Sequence, residues 1–379
     1  MPNRHELLIL GGGCAGLSLA YHLAQSKQAP PTLIIEPRMY YDDDRTWCGW
    51  PLRPHAFQDC IEARWHTWRI TTSRATHQVE ASPYPYEMIR SSRVYAKALA
   101  AIDAHPNIER LTGRRVTAIE DSANGVIVTL NDGQRHQARW AIDTLPHPER
   151  LAEPWLWQDF AGLEVEAALI NVDDVPELMD FRVASTDALD FIYALPFAPQ
   201  RALFEWTRFG RPASNPLELE TRLIAYLDER FDCNYRVLRR ETGSLPMAPS
   251  SHQPGHSVIR AGAYGGSMRA STGYAFHAIQ RWAEHCAQQL IDDQPPVAPL
   301  QKRYLIALDE IYMTALSLNP ALAPEFYLTL FKQASPAAVI RFLAGEPRLG
   351  DIAAVTTSLP KRPFLAAACR WGSRHLLRS

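Results

Sequence analysis

Leu7-Leu8-Ile9-Leu10-Gly11-Gly12-Gly13-Cys14-Ala15-Gly16 opens the chain's readable structure. A short apolar strand runs into glycines spaced G-x-G-x-x-G at Gly11, Gly13 and Gly16, and a helical pattern follows from Leu17 to about Gln25. Thr32-Leu33-Ile34-Ile35 reads as a second strand with Glu36 at its end. A glycine loop alone is weak, but strand, glycines, helix, strand and terminal acid in that order mark a dinucleotide-binding βαβ unit. Gly11 permits the tight turn, Gly13 lets a pyrophosphate approach the backbone, and Gly16 lets the helix pack on the sheet. The helix N-terminus then faces the phosphates, with Cys14 and Ala15 beside them. Cys14 reads as a small core residue rather than a nucleophile. Glu36 is placed to hydrogen-bond ribose hydroxyls, and its charge disfavours a 2′-phosphate, so FAD or NAD is expected rather than NADP.

Working outward, FAD is favoured. Arg114–Ile119 and Gly125–Leu130 read as a β-meander across the cofactor domain, and Trp140 opens a further strand-like stretch through Asp143. Val116 and Asp143 are accordingly expected at the cofactor. The layout resembles the glutathione-reductase-type FAD fold. A glycine-rich return supports it: Val258–Ala263 reads as a strand, Tyr264–Ala270 as a loop carrying Gly265 and Gly266, and Ser271-Thr272-Gly273-Tyr274 as the opening of a helix capped by Ser271 or Thr272. Such a terminus could face the flavin edge where reduced flavin is negative. The Gly-Asp pair that many FAD proteins carry here is missing.

The composition excludes several classes. The 379 residues allow two or three domains. A formal net charge of −2 gives no electrostatic case for nucleic acid. None of the six cysteines forms a CxxC pair, and His252 and His256 are separated by Pro254-Gly255 rather than a helical turn, so no metal is expected. No stretch reaches the roughly 18 apolar residues of a membrane span. A reduced, cytoplasmic setting is the default expectation. Pro363–Ala368, followed by Arg370, Arg374, His375 and Arg378, reads as an apolar helix with a basic edge. It suits an anionic membrane surface, or equally a basic turn complementing its own helix dipole.

Glu205 lies in Ala202-Leu203-Phe204-Glu205-Trp206-Thr207-Arg208-Phe209, an aromatic and β-branched strand that follows a second such strand, Phe191–Phe197. A carboxyl among aromatics is poorly solvated and holds its proton at neutral pH. The alternative is a side chain alternating outward from a half-buried strand. Arg45, Thr46 and Trp47 read either as flavin contacts and cavity wall or as a turn with a structural Trp. Glu241 reads either as a second acid that could relay protons or as capping a loop before a Pro246-Met247 turn, and Asp309 and Glu310 read as solvated helix positions.

Several stretches resemble bacterial lycopene β-cyclases, FAD-dependent carotenoid ring-forming enzymes, over nearly the whole length. They include the glycine loop, Asp44–Trp50, Leu178–Arg182, Phe191–Phe197, Glu241–Met247, Ser271–Phe276, Arg341–Leu343 and Ser358–Leu365. Two departures stand out. The catalytic Phe-Leu-Glu-Glu-Thr of the family is Leu203-Phe204-Glu205-Trp206-Thr207 here, leaving Glu205 without a second acid at the motif, and a proline of many relatives is Ala270. The resemblance implies a net non-redox reaction. A linear ψ end is protonated, the cation closes to a six-membered ring, and proton loss gives a β-ionone end, taking lycopene to γ-carotene and β-carotene. It implies reduced FAD with NAD(P)H as reductant, a carotenoid substrate, and peripheral membrane contact. Glu205 is the implied proton donor or final base, the reduced flavin being the other possible source of the first proton, with Tyr193, Phe197, Phe204 and Trp206 as candidate cation–π walls.

The expected architecture is α/β, with a glutathione-reductase-type FAD-binding fold, a mixed-sheet substrate domain and a helical C-terminal region. The cofactor domain spans residues 1–50, 93–150 and 255–295, the substrate domain 51–92 and 160–250, and the helical region 296–379. A cyclase of another polyene, a flavin monooxygenase and a non-enzymatic carotenoid or flavin carrier are the alternative functions.

Overall fold

The computed structural model describes residues 3–170, 175–184, 189–250 and 255–376. The first sheet has the order Ile108–Thr112, Thr32–Glu36, Asn3–Leu10, Arg135–Asp143, Gly125–Leu130, Val116–Ser122, with Val258–Arg260 also paired to Arg135–Asp143. Its central strands are parallel, so Ile9 lies beside both Ile34 and Ile142. Buried on both faces, such strands read as unbroken apolar runs. Helices Cys14–Leu23, Ser91–Asp103 and Phe276–Ile291 pack on one face through Leu17, Val94 and Ile279. On the other, Leu8, Leu10 and Ile35 meet Val126 and Val128 of the meander.

A second seven-stranded sheet has the order Arg236–Met247, Leu156–Glu166, Arg201–Gly210, Leu189–Ala198, Glu177–Asp180, Thr67–Thr71, Thr76–Glu80. Helix Pro216–Phe231 covers one face of it. Asn215 caps that helix by accepting from the Leu217 N–H, Pro216 opens it, and Leu219, Leu223 and Leu227 form its buried stripe. Thr46–Gly49, Tyr86–Arg90 and Ile61–Trp65 make a small third sheet. From Arg303 onward the described chain is helical: Arg303–Leu318, Ala323–Gln333, Pro336–Leu343, Leu349–Ser358 and Lys361–Leu376.

Several boundaries differ from the sequence reading. The first helix starts at Cys14, inside the glycine motif. Trp140 sits within strand Arg135–Asp143 rather than opening it. The helix after the glycine-rich return begins at Phe276, with Ala275 at its N-cap and no side-chain cap. Ser271 and Thr272 therefore do not cap it. Gly273, at φ +73°, turns the chain left-handed between them and the helix.

Candidate active site

One cavity of about 720 Å³ joins the three sheets and the C-terminal helices. Its polar end is built by the opening βαβ unit. Gly11 takes φ +98°, and a Cβ on Gly16 would stand 2.0 Å from the Gly11 carbonyl, so the turn and the helix touch. A Cβ on Gly13 would meet nothing within 4 Å; the space beside it is the cavity. Gly13 is also the helix N-cap and supplies no side-chain acceptor. The first-turn N–H groups lack a side-chain partner at the end where an anion is favoured. Glu36 lines this end, accepting from the Gly12 N–H at 2.6 Å and from Arg38 Nε at 2.7 Å. These features fit the pyrophosphate and ribose of a dinucleotide. Cys14, Ala15, Arg45, Ser271, Thr272 and Gly273 share the cavity wall. Burial pushes the Cys14 thiol up to about 12, which leaves it a thiol and not a nucleophile.

Other expected cofactor residues stand elsewhere. Gly16 lies behind the turn. Val116 starts an outer meander strand. Asp143 is buried beneath the loop that follows it, accepting from the Leu145 N–H at 3.1 Å and lying 2.7 Å from His147 Nε2. Gly265 packs against the Arg260 backbone, and Gly266 borders a separate small pocket beside Gln301.

The cavity's middle is floored by the second sheet. Glu205 points into it; the surface Glu205 retains faces the cavity. Gly162, in the neighbouring strand, pairs with Glu205 on one side and with Glu241 on the other. A Cβ on Gly162 would lie 3.2 Å from Glu205 Cγ and 2.9 Å from Glu241 Cγ. The missing side chain is what lets the two carboxyls meet. Glycine inside a strand marks such close approach. Glu241 is thus mid-strand and buried, not a loop cap. Isolation from bulk water, with the Glu241 charge beside it, holds the Glu205 carboxyl well above the usual carboxylate range; Arg239 pulls the other way. Arg239 Nη1 donates to Glu241 at 3.1 Å, its Nη2 donates to Thr46 Oγ1 at 2.5 Å, and its Nε lies 3.3 Å from Glu164.

Strand alternation corrects two aromatic assignments, and the position of Phe197 near the end of its strand corrects a third. Phe204 and Trp206 flank Glu205 and so face the opposite side, packing with Leu219, Leu223 and Phe231 under helix Pro216–Phe231. Phe197 lies outside the cavity, with Arg90 and Arg201 over its ring. Tyr193 does line the cavity, and its hydroxyl lies 2.8 Å from that of Tyr86. The aromatic wall near Glu205 comes instead from Phe160, Phe191 and Phe209. A Cβ on Gly243 would stand 2.3 Å from the Phe160 ring, so the ring lies against bare backbone. The far end is apolar and belongs to the helices, through Tyr312, Tyr327, Phe331, Val355, Leu359 and Phe364.

A model of the family described as "Lycopene cyclase protein" matches residues 6–369. The chain belongs to the lycopene cyclase family. It is 24% identical to a lycopene beta-cyclase of Paracoccus sp., with 99% of each chain covered. It is 22% identical to the chloroplastic neoxanthin synthase of Solanum tuberosum over 71% of this chain, and spans 57% of that protein's length. Among solved structures it is similar to the flavin-dependent monooxygenase PieE, in complex with FAD and substrate, at TM-score 0.62 and 13% identity, covering 98% of this chain and 72% of that one. The fold is therefore the α/β fold of FAD-dependent flavoproteins, with mixed sheets and C-terminal helices.

In this lycopene cyclase family member, Glu241 lies beside Glu205 across Gly162, although the strand segment Leu203–Thr207 carries a single acid. Asp309 is not solvated either: it is buried, pairs with Arg269 Nη2 at 2.9 Å, and accepts from Ser271 Oγ at 2.8 Å. It thereby ties the 271–273 turn at the cavity to helix Arg303–Leu318. Glu310 receives Trp371 Nε1 at 3.1 Å and lies 3.0 Å from His375 Nε2 and 3.5 Å from Arg374. Part of the C-terminal basic edge is thus paired with helix Arg303–Leu318, while Leu365 is exposed; Arg378 lies outside the described residues. So does His252, and His256 sits in a loop with its N–H on Asp121. The fold does bring His55, Glu87 and His277 together with possible ligand atoms within 4.8 Å, a grouping no spacing could disclose. As they stand, Arg64 holds Glu87 at 2.8 Å and the Phe57 N–H donates to His55 Nδ1 at 3.3 Å. No helix among the described residues is long and apolar enough to cross a membrane.

Proposed function

We propose that the protein is a lycopene β-cyclase that closes linear ψ ends to β-ionone rings with no net redox change. The carrying observation is Glu205, a carboxyl kept from bulk water at the centre of an aromatic cavity. That cavity runs from a dinucleotide cradle to a helix-walled apolar pocket. Protonating an alkene needs a strong acid in a dry place, and the cation needs negative charge or π faces nearby.

Glu205 gives its proton to the terminal carbon–carbon double bond, forming a C–H bond and a tertiary cation. The next double bond attacks, closing the ring. The Glu205 carboxylate left by the first step takes the ring proton and is restored as the acid, so one proton enters and one leaves per end and no electrons are consumed. The Phe160 and Tyr193 rings steady the cation, and their packing excludes the water that would quench it. Gly11, Gly13, Ala15 and Glu36 would hold FAD, whose reduced form supplies negative charge to the cavity; NAD(P)H is the proposed reductant. The helices around Phe364 and the exposed Leu349 and Leu365 support delivery of the polyene from a membrane surface.

Expression in lycopene-accumulating cells tests this reading. The wild-type chain should yield cyclised carotenoid and Glu205→Gln should leave lycopene. Unchanged lycopene with the wild-type chain would defeat the substrate assignment, and full conversion by Glu205→Gln would defeat the mechanism.

A further inference from the structure

Around the Glu205 carboxyl the charges can be counted. Asp43, Glu164 and Glu241 form one connected ion-pair network with Arg90, Arg201 and Arg239 among the described residues. Three carboxylates there face three guanidiniums. Glu205 is the fourth acid at this place and forms no ion pair among the described residues. An ionised Glu205 would add an uncompensated charge in a site shut off from bulk water. Gly162 leaves the Glu205 Cγ and the Glu241 Cγ on either side of one bare backbone position, and two carboxyls so placed favour a single shared proton.

The pair is not symmetric. Glu241 has the Arg239 guanidinium at 3.1 Å and lies behind the cavity wall, whereas Glu205 faces the cavity. Among the described residues facing Glu205, the other titratable groups beside it are a hydroxyl and a thiol. Tyr193 stands across the strand pair and Cys48 comes from the third sheet, and burial pushes both hydroxyl and thiol up.

We propose that Glu241 and Arg239 are positioning residues that keep one shared proton on Glu205, the member of the pair that meets substrate. Gly162 makes the contact possible, and the Arg239 guanidinium, paired with Glu241, biases the proton toward Glu205. This deepens the cyclase reading, since it sets the pH range in which Glu205 can act as an acid. It also holds as a statement about the protein's carboxyls if the substrate differs.

The test reads the proton directly. The protonated-carboxyl infrared band of the purified, cofactor-loaded chain is titrated for wild type, Glu205→Gln, Glu241→Gln and Arg239→Gln. A band should persist through neutral pH in wild type and vanish in Glu205→Gln. Removing the Glu241 charge should move loss of the band to lower pH, and removing Arg239 should move it to higher pH, each by about one unit or more for groups so close. The alkaline limb of cyclisation should follow in the same two directions. Structural damage from two neighbouring substitutions would not produce opposite shifts. Shifts in one direction only, no shift, or a band that survives Glu205→Gln would overturn the proposal. Wild-type chain that shows the band and both shifts but leaves lycopene unchanged would overturn the substrate reading alone.

Discussion

Tyr193 and Glu205 stand directly opposite one another across the antiparallel strands Leu189–Ala198 and Arg201–Gly210, with both side chains on the cavity wall. One ring and one acid are thereby held on a rigid floor rather than on loops. The ring face is the useful part of Tyr193. Tyr193→Phe should cyclise within a few-fold of wild type, and Tyr193→Ala should lose up to about 30-fold, the upper range for a cation–π contact of about 2 kcal/mol. Steady-state rates of the two variants check this.

Phe204 and Trp206 face the other side of the same strand, so they should behave as core. Phe204→Ala removes a ring packed on Phe231, 5.8 Å away between centroids, and should cost about 3–5 kcal/mol of stability. Turnover per folded molecule should stay near wild type. Urea unfolding beside an activity assay on the folded fraction separates the two effects.

Gly162 is the hinge of the acid pair. Gly162→Ala places a methyl 2.9 Å from Glu241 Cγ, forcing the carboxyls apart. The chain should fold and keep its cofactor, and cyclisation should fall about 10- to 100-fold, in line with the cost of small misplacements at a reacting centre. Flavin absorbance and turnover, measured together, test this.

Arg269 and Asp309 are a buried ion pair that braces the 271–273 turn. Asp309→Asn leaves a buried guanidinium without its partner and should destabilise the protein by about 3–5 kcal/mol. Replacing both, as Arg269→Met with Asp309→Leu, should be milder. Thermal melts of the three chains decide it, and an additive double variant would contradict the pairing.

The raised proton affinity of Glu205 also has a sign in stability. Its folded-state pKa lies above the unfolded value, so the folded chain binds the proton more tightly. The resulting stabilisation is complete below the unfolded pKa and is lost as pH rises toward the folded one. Glu205→Gln has no proton to lose. Its melting temperature should gain on wild type as pH rises from the usual carboxylate range toward the raised folded value, and the difference should be level outside that window.

The sequence made the opening βαβ unit legible because its signals are local: a strand, three glycines, a helix and an acid, all between Leu7 and Glu36. The return at 258–281 was legible as a strand and loop, but not its helix start, because Gly273 breaks the run and moves the cap to Ala275. Glu205 could be found as an acid among aromatics, yet its flanking aromatics were placed on the wrong face. Period-two alternation puts Phe204 and Trp206 opposite Glu205, and that rule could have excluded them from the cavity. Glu241 was legible as a possible second acid, but its place beside Glu205 was not. Its strand joins the sheet after helix Pro216–Phe231, and only the register through Gly162 brings it to Glu205. The one usable hint was a pair of strand glycines, Gly162 and Gly243, each marking a close approach.

The central claim is that Glu205 protonates a polyene end without net electron transfer. The most direct measurement is single-turnover cyclisation of lycopene by the purified protein with chemically reduced FAD, in deuterium oxide and without oxygen. The account predicts ring-closed product carrying one solvent deuteron per closed end, no consumption of reductant, and loss of product formation by at least about 100-fold in Glu205→Gln, within the range expected for a general acid. Product that carries no solvent deuteron, or that forms at the wild-type rate in Glu205→Gln, would contradict it.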